Sequence, residues 1–190
     1  MPPHPVLPAP ASAPVRLLPR PSPHPAVARG FTLIELMVTL SVLVVVMSVA
    51  VPSMADFLAN NQVVANKSAF AGAVALARTE AAKRGKVVIL QALGTGPAGN
   101  EFSNGWEIVA DDDGNGVAGA NETRVRRASG LSDKVRLSGN ASLAFRATGG
   151  LVGTAAEVYT VCRASGSNQG YSITVTPSGA TDVASITTCV

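Results

Sequence analysis

The sequence predicts an α+β protein, with one long N-terminal helix packed on a mostly antiparallel β-sheet domain. Two observations carry this expectation. Residues 31–84 contain a single proline, Pro52, and a single glycine, Gly72. Beyond residue 85 the pattern changes to short β-like runs separated by Gly, Asn and Ser. A helix laid across such a sheet gives an α+β arrangement. The length of 190 residues suits one ordinary domain with attachments.

Residues 1–30 stand apart. They hold 10 of the 13 prolines and both histidines, His4 and His24. Such a segment has no helical periodicity and reads as a disordered leader, one long enough that translation could start further downstream. A mature chain without it has no histidine for a metal site or catalytic dyad. Arg16, Arg20 and Arg29 also lie here, which leaves twelve basic and twelve acidic residues from position 31 onward. The calculated pI of about 9.2 therefore gives no support to a generally nucleic-acid-binding body.

Residues 31–51 read FTLIELMVTLSVLVVVMSVAV, with one charge, Glu35. As a helix this segment spans roughly 30 Å, the thickness of a bilayer core. Its apolar character is all round, so lipid is its natural solvent. A buried core helix is the alternative, but a domain this small could hardly surround one. A secretory signal peptide is another, but its apolar core is shorter and ends in a small-residue cleavage pattern. The basic residues before the segment place the N-terminus in the cytoplasm and the following domain across a single-pass membrane.

The helix is expected to continue over residues 52–84, giving 31–84 in all and roughly 80 Å if straight. Pro52 should kink it or free carbonyls near the membrane edge. Phe57, Val64, Ala71, Val74 and Ala75 recur at helical spacing, as a stripe for the sheet or for a partner. Gly85 suits the position after the helix, and Lys83 and Arg84 suit its negative end. The expected strands are 86–93, 105–110, 123–127, 134–138, 143–146, 156–163, 171–176 and 182–187, within a β-rich domain over 85–190.

Asp111-Asp112-Asp113-Gly114-Asn115-Gly116 opens a twelve-residue stretch ending at Glu122. It fits a calcium-loop template: Asp111, Asp113, Asn115, the Val117 carbonyl, a water below Gly119 and a bidentate Glu122, with Gly116 at the turn. An acidic hairpin turn is the alternative, since a strand enters the loop and there is only one copy. Arg124, Arg126, Arg127, Lys134 and Arg136 form the one basic cluster. Strand alternation puts Arg124 and Arg126 on one face and Arg127 on the other. Such a cluster is either a solvated surface or a DNA patch built on Arg124, Arg126 and Arg136. No Gly-rich phosphate loop and no Gly-x-Ser-x-Gly is present, so no enzyme and no cofactor beyond calcium is expected.

At Arg29-Gly30-Phe31-Thr32-Leu33-Ile34-Glu35 the chain resembles the type IV prepilins. The resemblance implies cleavage by prepilin peptidase between Gly30 and Phe31, followed by N-methylation of Phe31. A glycine lets a protease approach the backbone closely. Glu35 becomes fifth in the mature chain and Pro52 twenty-second, both matching the family. A carboxyl in hydrocarbon costs roughly 2.5–3.5 kcal/mol and needs a partner. The family's partner is the freed amine of Phe31, in its own or a neighbouring subunit, and the pair registers subunits during assembly. A hydrogen bond from Glu35 to Thr32 or Thr39 is the local alternative.

The rest resembles the FimT/GspH branch, the minor pilins and pseudopilins. The stretches that carry this are Ala77-Arg78-Thr79-Glu80-Ala81-Ala82-Lys83-Arg84-Gly85, Gly105-Trp106-Glu107-Ile108-Val109, Leu143-Ala144-Phe145-Arg146-Ala147-Thr148-Gly149 and a Cys-containing C-terminal hairpin. The resemblance implies a subunit of a pilus or of a type II secretion pseudopilus. Its partners are other pilins or pseudopilins, the peptidase, an inner-membrane assembly platform and lipid. Some relatives bind DNA through a Gly-Arg-x-Arg motif near the C-terminus. The corresponding Ser178-Gly179-Ala180-Thr181-Asp182 lacks both arginines, which argues against DNA. Cys162 and Cys189 both lie in the exported part, where an oxidising periplasm favours a disulfide over a redox pair. The closed loop of about 28 residues is worth about 3 kcal/mol on the chain-entropy model.

Overall fold

The computed structural model describes residues 30–165 and 169–189, so the expected leader lies outside the described residues except for Gly30. The chain divides into two compact units, residues 1–43 and 44–190. Helix α1 covers Leu33–Arg84. It starts two residues later than expected because Thr32 caps it: the Glu35 N–H donates to Thr32 Oγ1 at 3.2 Å. It ends as expected. Gly85 takes a positive φ of 66°, and its N–H donates to the Ala81 carbonyl at 3.0 Å. Pro52 sits inside the helix, which runs on through it. The proline lacks an N–H, so the carbonyl of Ser48 loses its usual donor.

In the first unit every described residue is exposed. The helix's most apolar eighteen-residue window has a mean hydropathy of 2.5, and none of it is buried within the chain. The hydroxyls of Thr39, Ser41 and Ser48 donate to carbonyls three or four residues back, at 2.7–2.9 Å. The segment therefore satisfies these polar groups by itself, as lipid requires.

The described residues of the second unit hold eight strands. They are β1 Val88–Ala92, β2 Trp106–Ala110, β3 Thr123–Ala128, β4 Val135–Ser138, β5 Ser142–Phe145, β6 Glu157–Arg163, β7 Gly170–Val175 and β8 Thr181–Ile186. Each falls within two residues of an expected run. They form two sheets rather than one, in the orders β3-β2-β1-β5 and β4-β6-β7-β8. Every pairing is antiparallel.

The helix face that joins these sheets is not the expected stripe. The buried residues of α1 are Ala59, Val63, Phe70, Ala73, Val74, Ala77 and Ala81. Of the expected five only Val74 is fully buried, and Ala71 packs partly against the core. Phe57 and Val64 remain 60% and 40% exposed. At 100° per residue they lie on the side of the helix away from Phe70. The helix therefore carries two apolar series, and the inner one is built mostly of alanine, which lets the sheets approach closely.

Phe70 lies at the centre of the core. Its ring centroid is 5.0 Å from Phe102, 5.4 Å from Trp106 and 4.9 Å from Tyr159. Trp106 belongs to the first sheet, Tyr159 to the second, and Phe102 to the β1–β2 connection. Each aromatic pair adds about 0.5–1.5 kcal/mol beyond area burial. Tyr159 is completely buried and its hydroxyl has no partner. Burial, with the negative charge of Glu157, raises its pKa. Gly139 makes room for this ring, because a Cβ there would strike Tyr159 Cδ1.

The full chain in detergent should report this directly, since Trp106 is its only tryptophan. With Trp106 fluorescence as probe, Phe70→Ala should cost about 3–5 kcal/mol of unfolding free energy. Tyr159→Phe should cost nothing or stabilise, because it removes an unpaired buried hydroxyl. A large loss for Tyr159→Phe would show that the hydroxyl is held after all.

Candidate functional site

The N-terminal segment presents its signature residues openly. Gly30 is exposed, and a Cβ there would meet nothing within 4 Å. Phe31 is 83% exposed. Thr32 receives the backbone N–H of Glu35, and the Thr39 hydroxyl donates to the Leu36 carbonyl. Neither threonine holds the Glu35 carboxylate, and among the described residues no ion pair reaches it. The Phe31 nitrogen is still in its peptide bond with Gly30 in this chain. The amine that could pair with Glu35 appears only after cleavage.

The acidic loop between β2 and β3 is closed by its own hydrogen bonds. The Asp111 carboxylate accepts the N–H groups of Gly114 and Gly116 at 2.8 and 2.9 Å. Asp113 accepts from the backbone and side-chain nitrogens of Asn115. Asn115 Oδ1 accepts the Val117 N–H, and Glu122 Oε2 accepts the Gly119 N–H. Oxygens of Asp111, Asp113 and Glu122 converge within 4.8 Å of one another. The other carboxylate oxygen of Glu122 is buried without a partner.

Asp112 has a different task. Its carboxylate accepts the Thr123 N–H at 3.0 Å and pairs with the Lys86 ammonium at 3.2 Å. Thr123, through its hydroxyl and N–H, and then Lys86 hold its pKa down at about 2.

The basic residues divide between the two sheets, with Arg124, Arg126 and Arg127 on β3 and Arg136 on β4. The expected alternation along β3 fails because the β2–β3 register shifts between Ile108 and Val109, where β3 carries Val125 as an extra residue. Arg124 pairs with Glu107 at 2.6 Å. Burial alone would raise the Glu107 carboxyl. Hydrogen bonds from Gln91 and Arg124, with the charges of Arg124 and Arg127, outweigh that and lower it. Arg126 instead lines a groove beside Ser68 and Gly72 of α1. Arg136 donates to the Ala164 carbonyl at 2.7 Å.

Cys162 and Cys189 form a disulfide across a Cα separation of 6.0 Å, tying the chain end to β6. Gly170 is required beside it: a Cβ there would come within 2.5 Å of the Val161 carbonyl oxygen and 2.7 Å of Cys189 Sγ. Two helix contacts were not legible in the sequence. Arg163 pairs with Asp56, 107 residues earlier. Arg78 donates to the Ser178 carbonyl at 3.3 Å, and a Cβ at Gly149 or Gly179 would crowd its Nε. The motif around Arg78 was visible, but nothing local said that two distant turns close over it.

The Asp112 shift sets a pH dependence. A carboxyl held low in the folded state stabilises above its unfolded pKa near 3.8, and the contribution is lost as pH falls from there through about 2. NMR titration of Asp112 should give a midpoint near 2 that moves upward in Lys86→Met. An unmoved midpoint would remove Lys86 from the account.

The family of type II transport protein GspH matches residues 68–179, and the prokaryotic N-terminal methylation motif matches residues 26–51. No curated protein matches the sequence significantly. The type IV minor pilin FimU of Pseudomonas aeruginosa strain PAO1, crystallised in space group P21, is 18% identical with a TM-score of 0.56. That match covers 70% of this chain and 99% of FimU, and it shows a shared fold. The same protein in space group P65 gives 18% identity and a TM-score of 0.49, over 63% and 93% of the two chains. Pilins and pseudopilins are structural proteins, and the methylation motif with a single apolar N-terminal helix fits inner-membrane anchoring. The chain belongs to the GspH family: it is a minor pilin or pseudopilin.

Proposed function

We propose that the protein is a minor type IV pilin that takes part in pilus assembly or initiation. Its mature chain begins at Phe31, anchors in the bacterial inner membrane with the N-terminus cytoplasmic and the β-rich domain periplasmic, and is then drawn into the filament. One observation carries the reading. From Gly30 to Leu58 every residue of a largely apolar segment is exposed, and the methylation motif over residues 26–51 covers most of it. Exposed apolar surface on this scale needs lipid or other helices to cover it. Past the membrane-length segment, Met54, Phe57 and Leu58 stay 58%, 60% and 53% exposed, opposite the core, where another pilin-type helix can reach them.

The GspH family match supports the second reading, a pseudopilin of a type II secretion system. Both readings use the same peptidase and the same Glu35 chemistry. DNA uptake is disfavoured, since Arg124 and Arg136 are already engaged and the stretch from Ser178 to Asp182 carries an acid and no arginine.

Calcium is a subordinate proposal for the acidic loop. The residues fit a hard oxygen-seeking ion, because Glu122 Oε1 is buried without a partner beside Asp111 and Asp113. A bound ion there would tie the two ends of the loop together.

Gly30→Ala should leave an unprocessed precursor, visible as a larger band. Glu35→Ala should be processed yet fail to enter filaments, and normal incorporation would contradict its assembly role. Calorimetry of the full chain should show calcium binding that Glu122→Gln weakens, whereas no heat at millimolar calcium would dispose of the site.

A further inference from the structure

Two four-stranded sheets have four outer edges, and three of them are closed or guarded. The edge of β5 is covered by the following segment, where the Val152 N–H donates to the Ala144 carbonyl and Leu151 bridges Phe145. The edge of β4 is covered by the β1–β2 connection: the Leu137 N–H donates to Asn100 Oδ1, and the Phe102 N–H donates to the Leu137 carbonyl. The edge of β3 carries three arginines and a bulge, two devices that keep a foreign strand off.

Strand β8 has none of these. Among the described residues it pairs only with β7, in an unbroken register of six residues from Thr181–Val175 to Ile186–Gly170. It gives no residue to the hydrophobic core, whereas β4, β6 and β7 all do. Thr181 to Ser185 are exposed on both faces. A long, regular and largely uncharged edge is a template for another strand.

We propose that β8 is a strand-addition site for a neighbouring subunit of different sequence. The occupant is an extended segment of another pilin-type chain, held by main-chain hydrogen bonds and carrying Lys or Arg where it passes Asp182. Charge complementarity selects that chemistry. Asp182 is the only charged residue of β8. Where the strand ends, Ser185, Ile186 and Thr187 border a groove of about 550 Å³ shared with Asp56, Val63 and Val64 of α1. The one cation among these neighbours, Arg163, is mostly buried and already paired with Asp56. Asp56 is thereby compensated, and among the described residues no ion pair holds Asp182, which leaves it as the charge that a partner strand meets. A contact of this kind is heterologous, so it joins unlike edges and suits a filament rather than a closed pair.

The inference rests on the pilin-type reading, and the test separates the two. The full-length protein, in its own bacterium lacking the native copy, carries a photoreactive benzoylphenylalanine at Val183 or, separately, at Phe57. Cross-linked peptides are then mapped by mass spectrometry. The expected result is an adduct from position 183 to an extended segment of a different pilin-type subunit. Asp182→Lys should lower its yield about two- to fivefold, the range for reversing one cross-strand charge pair. Position 57 should cross-link to a pilin-type helix whatever stands at 182. An adduct at 57 with none at 183 would overturn strand addition and leave the subunit reading standing. An adduct from 183 to a second copy of this chain would overturn the choice of partner. Absence of both would overturn the proposal together with the reading beneath it.

Discussion

Phe70 holds one helix against two sheets, and the other core contacts follow from that. Its ring meets Trp106 of the first sheet, Tyr159 of the second and Phe102 from the connection between β1 and β2. The alanines at 73, 77 and 81 let both sheets come close to the helix around this ring. A bulkier inner face would push the sheets apart and open the centre. The outer strands β3 and β8 lie beyond its reach, and they are also the two whose side chains stay mostly in solvent. The features available for partners therefore lie where the central packing ends.

The same helix serves two solvents. Leu33 to Leu58 is exposed throughout, and the hydroxyls of Thr39, Ser41 and Ser48 are satisfied within the helix. From Ala59 onward one face is buried in the domain. Glu35 is the exception in the apolar half, a carboxyl with no ion pair among the described residues. Cleavage after Gly30 would create a positive amine about one helical turn away. On the proposed reading, the chemistry that makes Glu35 costly in lipid is what would let it register a subunit.

Much of this was legible in the sequence, for physical reasons. Helix α1 and all eight strands follow from hydrophobic spacing and turn residues, which act locally. The cap at Gly85 and the Cys162–Cys189 pair were equally readable. The division into two sheets was not, because strand order depends on pairings far apart in sequence. The inner helix face was misassigned because Phe57 and Val64 form an apolar series as regular as the buried one. Only the position of the sheets decides between them. The bulge at Val125 turned Arg124 and Arg126 to different surroundings, and no single-strand pattern shows a bulge. Arg78 is clear in its motif, but the turns at Gly149 and Gly179 that close over it come from separate connections.

The central claim is that this chain is a subunit that helps build a type IV pilus. The most direct measurement is the yield of sheared surface pili from a clean deletion strain beside its complemented parent. The account predicts that pili are lost or strongly reduced and that the gene restores them. Undiminished pili in the deletion strain would contradict it and move the protein to the secretion pseudopilus.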